Sequence, residues 1–192
     1  MSETRKGMLL VISGPSGVGK GTIISRLMAG DRSLVFSVSA TTRAPREGEV
    51  DGVHYHFMSV EKYNQLVADG AFVEYAQVHG NFYGTLKSEV NQRIARGETV
   101  LLDIDVQGAL NVFDQGIECT SIFIAPPSLE ELRQRLIDRG TEPMDVIEFR
   151  VGNAAWELSQ KHRYQHLVIN DNLEDAIEEV RNIINTQRSA LA

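Results

Sequence analysis

The chain of 192 residues has a single cysteine, Cys119, which excludes an internal disulfide. A chain of this length buries enough surface to fold without covalent staples or a structural metal. Cys119 reads as a small apolar residue at the edge of a strand, with nothing nearby to activate a thiol. No apolar stretch approaches the roughly 20 residues that a membrane-crossing helix needs. The run after the polar, basic start, Met8–Ile12, is too short for a signal peptide, so a cytoplasmic protein is expected. Basic residues are in deficit: 19 Lys and Arg against 26 Asp and Glu give a net charge of −7. That argues against a chain that coats nucleic acid or an anionic membrane, while leaving room for a local basic site. Repeats, low-complexity tracts and linkers are also missing, so one domain over residues 1–192 is expected. Whether it forms a homo-oligomer is left open.

What is present is an alternation of strand and helix patterns. Met8–Ser13 is a continuous apolar run closed by Gly14, the pattern of a strand buried on both faces. Thr22–Ala29 follows with helical spacing at Ile23, Ile24, Leu27 and Met28. Thr99–Asp103, Thr120–Ala125 and His166–Asn170 read as further buried strands, each before a helical pattern (Val106–Gln115, Ser128–Asp138 and Leu173–Thr186). The alternation predicts an α/β fold with a mostly parallel sheet flanked by helices. Two segments break the rhythm. Ser37–Thr85 is polar and aromatic-rich, with strand-like pieces at His54–Met58 and Ala71–Gln77 around a helix capped by Ser59, and predicts an inserted α+β lobe. Arg139–Asp145, punctuated by Gly140 and Pro143, predicts a mobile lid. Arg188–Ala192 are expected to fray.

Gly14-Pro15-Ser16-Gly17-Val18-Gly19-Lys20 is a P-loop pattern placed directly between a strand and a helix. Its glycines let backbone N–H groups wrap phosphates, the helix N-terminus adds partial positive charge, and Lys20 adds a full one. Gly21 stands where many P-loops carry the hydroxyl that touches magnesium, with Thr22 next. Magnesium should then depend on phosphate oxygens, water and a carboxylate elsewhere. Asp103, at the end of a strand, supplies that carboxylate. Asp105 points to the same side if the strand continues, or caps the next helix if it does not. The five histidines show no metal-ligand spacing.

The segment Ser39-Ala40-Thr41-Thr42-Arg43-Ala44-Pro45-Arg46-Glu47-Gly48-Glu49, followed by Asp51-Gly52-Val53-His54-Tyr55, Glu74 and Gly80-Asn81-Phe82-Tyr83-Gly84-Thr85, resembles the guanylate kinase family in order and spacing. With the P-loop, Leu102-Asp103-Ile104-Asp105 and the lid, the resemblance spans residues 7–187. It implies a P-loop NTPase core (1–36, 86–134 and 151–192), a GMP-binding lobe (37–85) and a lid (135–150). It also implies ATP and GMP as substrates with Mg²⁺ as the cofactor. Ser39, Arg43, Arg46, Tyr55 and Tyr83 would clamp the GMP phosphate, a task suited to arginine's planar fork. Glu74 would read guanine N1–H and N2–H₂, and Thr85, where the family often has serine, would donate to O6. Asp105 would belong to the GMP side, and Asp103 to Mg²⁺ through water. Arg135, Arg139 and Arg150 would serve ATP, Asn170 and Asp171 would meet adenine, and Lys20, Arg43, Arg139 and Arg150 would act in catalysis. Pro143 is a departure that puts the lid's local shape in question. Two rivals remain. A non-catalytic binding module of the same family would lose the P-loop lysine or nucleotide contacts, but Lys20, Asp103, Arg43 and Arg46 are all present. A kinase of another nucleotide or sugar phosphate is opposed by Glu74 with Thr85.

Overall fold

Alternation within the first strand decides the architecture. The computed structural model describes residues 6–191. In β1 (Met8–Ser13) every side chain is buried. Met8, Leu10 and Ile12 face one core with α1 (Lys20–Gly30) and α7 (Leu173–Ala190). Leu9 and Val11 face a second core with α3 (Lys87–Ala95) and α4 (Val106–Asp114). A strand covered by helices on both faces belongs at the centre of a parallel sheet. β1 lies there, between β7 (Thr99–Asp103) and β8 (Thr120–Ala125), with β2 (Leu34–Phe36) and β9 (His166–Ile169) at the edges. All of these pairings are parallel.

The inserted segment forms its own sheet from β3 (Ala40–Thr41), β4 (His56–Phe57), β5 (Phe72–Val78) and β6 (Asn81–Leu86), in the order β4-β3-β6-β5. Ser59 caps α2 (Val60–Ala68) by accepting from the Lys62 N–H. Tyr63, Phe72 and Ala40 form a small separate core beneath this sheet. The β5–β6 hairpin turns at His79 and Gly80, both at positive φ, as a two-residue turn of matching twist requires.

The lid differs from expectation. The irregular stretch is confined to Arg139–Pro143, because α5 (Leu129–Asp138) runs up to it and α6 (Met144–Ser159) starts at once. Pro143 is the N-cap of α6 at φ −69°, and its carbonyl accepts from Val146 and Ile147. Proline therefore starts a helix here instead of shaping a loop. Leu132 and Leu136 of α5 pack on Ile147 and Ala154 of α6.

The expected fraying at the C-terminus is overturned for residues 188–191, while Ala192 lies outside the described residues. α7 continues to Ala190, and Arg188 is only 5% exposed. Its Nε donates to Thr99 Oγ1 at 2.8 Å and its guanidinium pairs with Asp31, the C-cap of α1. Burial opposes ionisation of Asp31, but hydrogen bonds from Ser33 and Arg188 outweigh it and hold the carboxyl below its usual value. The pair's contribution is therefore present above the unfolded pKa of Asp31 and is lost as pH falls through the lowered folded value. Replacing Arg188 with alanine should cost about 2–4 kcal/mol of unfolding free energy at pH 7, a buried-pair loss discounted for the partial exposure of Asp31. Denaturant titration checks this, and a loss under about 1 kcal/mol would show that the last turn of α7 is dispensable.

Candidate active site

Between β1 and α1 the chain makes the P-loop, and the fold around it explains its glycines. At Gly14, φ is +150° and an added Cβ would lie 2.2 Å from the Ile124 carbonyl oxygen of β8. At Gly19, φ is +95° and a Cβ would lie 2.5 Å from the Asn170 amide nitrogen. No other residue type fits either position. Gly21, by contrast, has open space around it. α1 begins at Lys20, so its N-terminal N–H groups face the loop.

The loop lines a cleft of about 650 Å³ together with Thr22, Asp103, Ile104, Asp105, Arg139 and Glu157. Lys20 Nζ pairs with Asp103 Oδ1 and lies 3.4 Å from the Ile104 carbonyl oxygen. β7 ends at Asp103, so the strand does not carry Asp105 onward. Asp105 instead caps α4, accepting from the Gly108 N–H at 2.7 Å.

Three lid-side arginines behave differently. The Arg150 guanidinium donates to Ser16 Oγ in the P-loop and pairs with Glu142. Arg139 lines the cleft. Arg135 turns toward the sheet, donating to the Asn170 carbonyl at 2.8 Å and pairing with Glu131 at 3.2 Å. Asn170 is 5% exposed, and its amide nitrogen donates to the Val18 carbonyl at 2.7 Å. That side chain is committed to bracing the P-loop, a geometry that competes with the adenine contact expected of it. Asp171 is exposed.

In the inserted lobe, Arg43 lies over the Tyr55 ring at 5.4 Å, and Tyr55 meets Tyr83 edge-on at 6.0 Å. Arg43 also donates to Glu49 at 2.7 Å, and Glu49 accepts the Arg46 backbone N–H at 2.6 Å. Ser39 lies just before β3, its carbonyl accepting from the His56 N–H at 2.9 Å. Of the predicted clamp residues, Arg43, Tyr55 and Tyr83 are brought side by side, while Ser39 and Arg46 are placed by backbone contacts alone.

Glu74 on β5 and Thr85 on β6 are register partners. The buried Thr85 hydroxyl donates to Glu74 Oε1 at 2.7 Å, so its proton is directed at the carboxylate. Burial pushes the Glu74 carboxyl above the usual range. The Thr85 bond works against that shift, and the charge of Asp105 adds to it.

Two acidic residues here were not assigned from sequence. Glu157 on α6 is raised by burial and by Asp105, and lowered by Lys20. It lies two helical turns after Arg150, a spacing that would have marked it had α6 been recognised. Glu49 was visible in the arginine segment, but its partners depend on a turn that periodicity does not reveal. Among the described residues no cluster of three or more His, Cys, Asp or Glu side chains could hold a metal alone. No helix among them is long and apolar enough to cross a membrane.

A family model described as guanylate kinase matches residues 6–187. A guanylate kinase of Clostridium perfringens is 47% identical over 182 residues, covering 95% of this chain and 84% of that protein. One of Neisseria meningitidis is 49% identical over 188 residues, covering 98% and 92%. Among solved structures, guanylate kinase from Anaplasma phagocytophilum aligns with 96% of this chain and 87% of that one, at a TM-score of 0.64 and 34% identity.

Proposed function

The chain belongs to the guanylate kinase family, and we infer from this that it transfers the γ-phosphoryl group of ATP to GMP, giving ADP and GDP. The observation that carries the reading is the position of Asp105. It lines the P-loop cleft and lies near enough to Glu74 for its charge to act on that carboxyl, so one residue links the phosphate cradle to a half-buried carboxylate suited to guanine. In this reading ATP phosphates lie in the P-loop, and GMP lies in the inserted lobe with its phosphate on Ser39, Arg43, Arg46, Tyr55 and Tyr83.

The chemistry needs no general base. The second pKa of a phosphate monoester is about 6, so the attacking oxygen of GMP is largely anionic at neutral pH. The barrier is repulsion between two polyanions that must meet in line. Lys20, Arg43, Arg139 and Arg150 offset that charge, most of all on the group in flight. Glu74 accepts from N1–H and N2–H₂ of guanine, whereas adenine has no N1 donor. Thr85 orients Glu74, and turning its hydroxyl would let it donate to O6. Asn170 serves ATP through the P-loop backbone it braces, while Arg135 holds Asn170 and Asp171 remains the exposed candidate for the base. The lobe (37–85) and the lid (135–150) close over the substrates and exclude water, which suppresses ATP hydrolysis. The partners proposed are these two small molecules, with no nucleic acid or membrane, in the cytoplasm.

The residues present fit Mg²⁺. A hard cation that keeps most of its waters needs one or two carboxylates beside phosphate oxygens, and Asp103 lies at the P-loop lip with its side chain 34% exposed. Bound with ATP, Mg²⁺ would neutralise phosphate charge. Asp103, acting through water, would hold it. Asp103→Asn should then lower kcat and raise the Mg²⁺ concentration needed for half-maximal rate. GMP affinity measured without ATP should stay the same. A large loss of GMP affinity would move Asp103 to the acceptor side.

A further inference from the structure

The arginine segment contains an acid that the proposed reaction does not use. Glu49 Oε1 receives Arg43 Nη2 at 2.7 Å, and its Oε2 receives the Arg46 backbone N–H at 2.6 Å. The Glu49 N–H in turn donates to the Arg46 carbonyl at 3.0 Å, closing a four-residue turn with Gly48 at φ +84°. Positive φ at the third position marks a type II turn, which glycine supplies without strain. One residue therefore closes the turn that carries Arg46 and orients the side chain of Arg43. The paired side chains are only 15% and 17% exposed. The hydrogen bond from Arg43, then that from Arg46, holds the Glu49 carboxyl down at about 2, so it stays ionised at any working pH.

Arg43 is not used up by this contact. A guanidinium has five N–H donors. Arg43 gives one to Glu49 and one to the Ala44 carbonyl at 2.8 Å. The Tyr83 hydroxyl is also within its reach, the guanidinium carbon lies 5.4 Å from the Tyr55 ring centroid and 5.8 Å from that of Phe57, and donors remain for an incoming anion. A long flexible side chain held in one orientation has less freedom to lose when an anion arrives.

We propose that Glu49 is the positioning residue of the acceptor-phosphate clamp, holding Arg43 and the Arg46 turn in the geometry that receives the GMP phosphate. This rests on the reading of Arg43 and Arg46 as that clamp. The competing physics is charge: a carboxylate beside a phosphate dianion repels it, so a Glu49 that merely competed for Arg43 would weaken GMP binding.

Sign therefore decides. Calorimetric GMP binding, and kcat and KM for both substrates, are to be measured on Glu49→Gln, Arg43→Ala and the double variant. Glu49→Gln is isosteric and should raise the Kd and KM for GMP about tenfold, the scale of one lost charge-assisted hydrogen bond. The KM for ATP should not change, and the melting temperature should fall slightly, because a carboxylate held low in the folded chain stabilises it at neutral pH. Because Glu49 acts mainly through Arg43, adding Glu49→Gln to Arg43→Ala should cost far less than Glu49→Gln does alone. Equal or tighter GMP binding by Glu49→Gln would overturn the proposal, as would fully additive losses in the double variant. If Arg43→Ala itself leaves GMP affinity unchanged, the clamp reading fails first, and the Glu49 proposal fails with it.

Discussion

Lys20→Ala is expected to lower kcat about 1,000-fold, the upper range for removing one preorganised donor to transition-state charge. Lys20 begins α1 at the mouth of the cleft, where the helix N-terminus and the P-loop N–H groups already face the same point. Its charge matters most when the phosphoryl group is between donor and acceptor, so the loss should appear in kcat more than in substrate affinity. The fold should survive. The partner left behind, Asp103, is 34% exposed in its side chain and can hydrate. Single-turnover kinetics, with a thermal melt of the same sample, measure both. An unchanged kcat in a folded variant would remove Lys20 from the chemistry.

The second large effect concerns choice of base. Glu74→Gln keeps size and an oxygen for the Thr85 hydroxyl, but turns an NH₂ toward guanine donors. One charge-assisted bond is lost and a donor–donor contact appears, worth about 2–4 kcal/mol, or about 30- to 1,000-fold in kcat/KM for GMP. AMP would use the same proposed phosphate clamp without needing Glu74, so its low rate should fall far less. An equal loss for both substrates would make Glu74 a support of the lobe and leave the base to another residue.

pH provides an independent readout of the same residue. In the proposed reading the ionised carboxylate accepts from guanine, whereas burial favours the protonated form. GMP use should therefore decline as pH falls through the raised Glu74 value, earlier than for an ordinary glutamate, and Glu74→Gln should keep only the decline caused by protonation of the GMP phosphate, whose pKa is about 6. For stability the sign is opposite. A raised folded pKa stabilises below the unfolded value, and that contribution is lost as pH rises, so Glu74→Gln should not destabilise the protein at pH 7.

The core strands were legible in the sequence for a physical reason. β1, β7 and β8 are buried on both faces and end at glycine, an acid or proline, so Met8–Ser13, Thr99–Asp103 and Thr120–Ala125 have the bounds their composition suggests. The same logic failed where burial is one-sided or short. β2 and β3 have three and two residues, too few for any period to register. α6 leaves Phe149 and Trp156 exposed, so its buried face is sparse, and Gly140 and Pro143 just before it carried the lid reading into its first residues. The long α7 was cut short because nothing local shows that Arg188 finds Asp31 and Thr99, residues far away in sequence. Site residues followed the same division. Residue types and spacing picked out the P-loop, while Arg43, Arg46 and Glu74 were assigned through the resemblance to the guanylate kinase family. Types and spacing left open whether Asp105 continues a strand or caps a helix, and they did not show that Asn170 braces Val18 or that Glu157 lines the P-loop cleft, because those two are contacts between residues far apart in sequence.

The central claim is that GMP is the acceptor, and the most direct measurement is ADP release from ATP with GMP, AMP, UMP or CMP supplied in turn. The account predicts rapid turnover with GMP, formation of GDP matching ADP one for one, and only slow turnover with the other three. Comparable turnover with AMP, UMP or CMP would contradict the role of Glu74 as reader of guanine. No ADP with any of them, from folded protein that still binds GMP, would contradict the enzyme itself and leave a binding module.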